Sequence, residues 1–152
     1  MSDPLDLPSK SPRFGLPLLF PGQAQKEFSI NEAHALIDLL LHPAIEGIAI
    51  VPPTAPQDGQ SWLVWSNASG AWSGHDGQIA SFQAGTWLFC TPRDGLRLLD
   101  RSTMQDILFR GGWIRAVRPT EPQGGTTVDT EARAAIGQLV AALVAGGILP
   151  QT

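Results

Sequence analysis

Five tryptophans, at positions 62, 65, 72, 87 and 113, all fall between Gln60 and Trp113. That stretch holds no long helical pattern. Short apolar runs alternate with turn residues instead: Trp62 to Trp65, Ile79 to Phe82, Trp87 to Phe89, Leu96 to Leu99 and Ile107 to Phe109. Runs of this length, bounded by Gly, Asn, Asp and Pro, predict antiparallel strands. A tryptophan buries about 150–250 Å² of surface, so several together supply much of a small β core. Exposed on one face, they would instead stack against sugar rings. Trp62 and Trp65, three residues apart, would point to opposite faces of a regular strand, which argues for core packing.

The rest of the chain attaches helices and extended segments to that unit. Residues 1–13, with prolines at 4, 8 and 12, predict an extended arm. Phe14 to Pro21 is apolar, but its prolines forbid a helix or a central strand, so it should lie extended on the β core. Ser29 and Glu32 have capping-box spacing and predict a helix over residues 30–41, with Ala33, Ile37, Leu40 and Leu41 inward and Pro43 as its stop. Ile48 to Val51 predicts a short strand. Asn67-Ala68-Ser69-Gly70 predicts a hairpin turn that returns at Ala71-Trp72. Residues 14–116 therefore form one mainly β domain of α+β class, small and antiparallel.

Residues 117–128 read as a linker. Residues 129–149 carry a second helix, capped by Asp129, running from Thr130 to about Ala145 and stopped by Gly146 and Gly147. Ile136, Leu139, Val140 and Leu143 form its apolar stripe, among alanines. A helix this apolar behind a linker must bury itself against something. The glycines at 124 and 125 give it reach, so it should dock on other subunits rather than complete the β core.

Composition excludes several function classes. Net charge is −4, and the two lysines and eight arginines are scattered, which argues against a phosphate-binding surface and hence nucleic acid. No run approaches the roughly 18 apolar residues of a membrane span, so no membrane insertion is expected. The lone Cys90 permits no internal disulfide and no cysteine-based zinc site. His75 and Asp76 adjoin in Gly74-His75-Asp76-Gly77, but neighbours in a turn diverge and no nucleophile accompanies them. Neither catalytic residues nor a cofactor or metal site is expected, and the chain does not read as an enzyme.

Gly15-Leu16-Pro17, then Gly22-Gln23-Ala24-Gln25-Lys26-Glu27, Asn31-Glu32-Ala33 and Asp38 form a more specific pattern. It continues through Pro52-Pro53, Gly59, Gly70-Ala71-Trp72, Gly74-His75-Asp76-Gly77, Trp87 and Gly95. This pattern resembles an uncharacterised family of structural proteins from alphaproteobacterial prophages and gene transfer agents, found in tail fibres and head spikes. The resemblance implies a virion component assembled in the bacterial cytoplasm. Its partners would be capsid, tail or fibre subunits and copies of itself, and its role would be to anchor or present a receptor-binding protein. The alternative is a carbohydrate-binding module for host capsule or surface polysaccharide. Gln23, Gln25, Lys26, Asn31, Trp72 and His75 are the candidate motif or ligand residues, although amides at a loop-to-helix junction often serve only backbone groups.

Overall fold

The computed structural model describes residues 16–19, 22, 24, 26–120, 124–125 and 129–151. The arm over residues 1–13, and with it Gln23 and Gln25, lies outside the described residues.

Helix α1 spans Lys26–Leu41. It starts a turn earlier than the capping-box spacing predicts, because Lys26, Glu27 and Phe28 are competent helix residues with no breaker among them. Ser29 and Glu32 therefore lie inside the helix and do not cap it. The inward face also differs from expectation. Leu36 and Leu39 are buried, with Leu40 beside them, whereas Ile37 and Leu41 face outward.

Among the described residues eight short strands follow: β1 Ala44–Ile45, β2 Ile48–Ala49, β3 Ser61–Val64, β4 Ile79–Gln83, β5 Thr86–Cys90, β6 Arg97–Asp100, β7 Gln105–Phe109 and β8 Trp113–Ile114. They form two four-stranded sheets, ordered β1-β6-β7-β8 and β2-β3-β4-β5. The sheets are mixed rather than purely antiparallel, since β1 runs parallel to β6 and β2 parallel to β3. Residues 44–49 thus give one strand to each sheet and staple the two together. The single strand predicted over Ile48 to Val51 shortens to β2.

Between the sheets, Ile45, Leu63, Ile79, Cys90, Leu98 and Ile107 form the main core, which Leu36 and Leu39 of α1 close. The pairings place Ile79 opposite both Leu63 and Cys90, and Leu98 opposite Ile107, so β3 to β7 turn these residues to the same side. Burial pushes the Cys90 thiol pKa up, as for an inert core cysteine.

The outer face of the second sheet carries a tryptophan cap. Gly70–Trp72 forms a 3-10 turn, not the predicted return strand, and inserts Trp72 over Val64 and Ala80. Trp72 and Trp87 meet edge to face at 5.0 Å, and Trp62 and Trp87 at 5.7 Å. The strand that actually returns is β4, joined to β5 by Ala84-Gly85 with φ of +51° and +76°. Positive φ at both central residues is the geometry of a two-residue hairpin turn.

Candidate functional site

Helix α2 spans Thr130–Ala145, with the boundaries the sequence predicts. The Asp129 carboxylate accepts from the Ala132 amide at 2.8 Å, capping the first turn. At the other end the Ile148 amide donates to Leu143 O and the Gly147 amide to Val144 O, with Gly147 at φ +71°. This paired pattern around a left-handed glycine is a Schellman stop.

The stop delivers the chain to the β core. The Asp106 amide donates to Gly147 O at 2.7 Å. The buried Gln105 Nε2 donates to Ile148 O at 2.9 Å and to Ala116 O at 2.6 Å, so one amide ties both ends of the linker-helix segment to β7. Leu149 is buried, and Arg118 donates to Gln151 O. Just upstream of Ala116, Arg115 pairs with the buried Asp100 at 2.6 Å. The C-terminal exit therefore packs on the β domain, while the expectation that the helix itself docks on other subunits is untouched by these contacts. The signal missed was Gln105: a glutamine in a strand announces nothing until its backbone partners are known.

The helix itself remains uncovered. None of its residues is buried; Ile136 is 48% exposed and Leu139 61%, while Val140 and Leu143 are half-buried. Beside it runs a groove of about 270 Å³, lined by Arg118, Pro119 and Thr120 on one wall and by Arg133, Ile136, Gly137 and Val140 on the other. The stripe predicted from sequence thus divides between this groove and open solvent.

The candidate motif residues do not converge. Trp72 is fully buried and cannot touch a ligand, because the 3-10 turn aims it into the sheet. The His75 ring stacks on Phe89 at 3.5 Å, and its Nδ1 meets Gln78 Oε1 at 2.9 Å. Asp76 accepts from the amides of Asn67 and Ala68, closing that loop. Neighbours in sequence, the two side chains serve separate structural tasks. Lys26 and Asn31 lie on exposed parts of α1.

Other clefts lie among the described residues. Trp65, 47% exposed, lines an apolar one of about 280 Å³ with Ile48, Trp113, Ile114 and Arg115. A polar one of about 220 Å³ includes Ser61, Ser81, Glu46 and Arg101 in its lining, and the last two form an ion pair at 2.8 Å. Among the described residues no group of three or more His, Cys, Asp or Glu could hold a metal ion. No helix among them is long and apolar enough to cross a membrane.

Comparison with curated proteins finds no match. A family model does match, over residues 30–114, from within α1 to the end of β8; linker and α2 lie outside that span. The chain belongs to this family, DUF2793, described as proteins of unknown function.

Proposed function

We propose that this chain is a non-enzymatic structural subunit of a phage-like particle or gene transfer agent, built into a spike, fibre or fibre base. There it would assemble with other particle subunits and anchor or present a receptor-binding protein. The observation that carries the assembly role is α2: sixteen residues of largely apolar helix, clamped at its exit, with no side chain buried in its own domain. Large exposed apolar surfaces on a folded domain mark interaction sites. The outward Ile37 and Leu41 of α1 add a second such strip. The resemblance of Gly22 to Asp38 to phage structural proteins supports the kind of particle. Chemistry-bearing groups are engaged structurally, with His75 on Phe89, Asp76 in its loop and Asp100 on Arg115, which supports a non-enzymatic role.

The test is to purify particles from producing cells by density gradient and probe the fractions for this chain. The reading expects it in the particle band; recovery only in the free-protein fractions would contradict it. A second reading, a carbohydrate-binding module, is favoured by one observation, the exposed Trp65 in its apolar cleft. Capsule oligosaccharide should then change the tryptophan fluorescence of the parent chain but not of Trp65→Ala, and an unchanged parent would remove it.

A further inference from the structure

The uncovered surface of α2 has two unlike halves. One is a knob: Leu139, 61% exposed, stands among the short side chains of Ala132, Ala135 and Ala142. The other is the groove between Ile136, Gly137 and Val140 of the helix and Pro119 of the preceding segment. At 3.6 residues per turn the centre of the groove lies about 110° around the helix from Leu139, so no copy can place its own knob in its own groove.

We propose that the groove receives Leu139 of a second copy, and that repetition of this head-to-tail contact closes a ring of three or more chains around parallel α2 helices. Three features select a like copy. First, knob and groove sit at the same level, since position 139 falls within the span of residues 136–140; chains side by side and parallel can therefore engage without sliding. Second, the only charged residues of the helix are Glu131 and Arg133. Helical phase puts Glu131 about 80° from the knob, on the side away from the groove, and Arg133 on the groove wall, about 3 Å apart in level, so opposite charges flank the contact when one copy's knob faces the next copy's groove. Third, area argues against a pair. A helix of 16 residues is about 24 Å long, and one strip between two such helices covers on the order of 500 Å² in total, below the ~1,200 Å² of stable interfaces. A ring uses both sides of every helix, and head-to-tail contacts close into rings when the rotation permits.

This rests on the assembly reading, but it is tested on the purified full chain alone, so either can fail without the other. Sedimentation velocity over a wide concentration range compares the parent with Leu139→Glu, which removes the knob, and Gly137→Leu, which fills the groove. A Cβ at Gly137 meets nothing within 4 Å, and Leu suits a helix better than Gly, so the second variant should melt at or above the parent's temperature while losing association. Leu139→Ala trims the knob without adding charge and should also weaken association. Each of the first two variants alone should stay monomeric. Mixed in equal amounts they should associate no further than a one-to-one pair, and only at the highest concentrations, because one retains a groove and the other a knob but the single strip between them is small. A parent chain that is monomeric throughout, a folded variant that assembles like the parent, or a mixture that assembles beyond a pair would each overturn the proposal.

Discussion

The two helices are each sixteen residues long and rich in apolar side chains, yet they are used differently. Helix α1 lays Leu36 and Leu39 into the core between the sheets, and its neighbours on that face are fixed by packing. Helix α2 is fixed at its ends, by the Asp129 cap and by the clasp of Gln105 on Ile148, while its middle touches little. An apolar stripe therefore states that a helix will be covered, and tertiary contacts alone state by what. The difference also predicts where substitutions should hurt.

The largest effect belongs to α1. Leu36→Ala removes a buried side chain and leaves a cavity, and should cost about 2–5 kcal/mol in urea denaturation. A value near zero would place α1 with α2 as a surface helix.

Next comes the ion pair that holds the chain leading toward α2. Asp100 is buried, and burial is the largest influence on its carboxyl, pushing the pKa up. The Ser102 hydroxyl, Arg115 and the Ser102 amide together outweigh that effect and hold it below the usual carboxylate value. Because the folded-state pKa is depressed, this group's stabilisation is complete above the unfolded value of about 3.9 and is lost as pH falls through the lower folded value. Asp100→Ala should cost about 3 kcal/mol at neutral pH, the low end for a broken buried pair because the Arg115 side chain is 34% exposed. It should also flatten the acid limb of the stability profile. An unaltered acid limb would count against this role for Asp100.

A smaller loss follows from the cap. Asp129→Ala should lower α2 helicity and cost about 1 kcal/mol. Circular dichroism and thermal melting together separate a frayed helix from a loosened core.

The smallest effect is the most informative contrast. Leu139→Ala should change the stability of the dilute monomer by less than about 0.5 kcal/mol, since its side chain lies mostly in water. A loss like that of Leu36→Ala would mean that α2 is core after all.

Much of this was legible in the sequence. The runs ending at Phe82, Phe89, Leu99 and Phe109 announced β4 to β7, because apolar alternation and Gly-marked turns act locally. Asp129 and Gly146-Gly147 set the ends of α2 for the same reason. What was hidden depends on partners distant in sequence. Residues 44–49 form strands of two residues each, which exist only because β6 and β3 lie alongside. Trp72 read as a strand residue, but its place is decided by the room over Val64 and Ala80. The Ser29/Glu32 spacing matched a cap, and the pattern occurs as readily inside a helix when the preceding residues are helix formers. Of the proposed docking site, Leu139 and Ile136 were visible in the stripe. Pro119 and Gly137 were not, since a groove requires two segments to be placed side by side.

The measurement that tests the central contrast most directly is amide hydrogen exchange, residue by residue, on the full chain at low and high concentration. In the dilute chain, amides in the second half of α1 should be strongly protected and those of residues 134–142 weakly, because exposed helix opens locally at little cost. At high concentration protection over residues 134–142 should rise while that of α1 stays unchanged. Equal, concentration-independent protection of both helices would contradict the account and make α2 a part of the domain core.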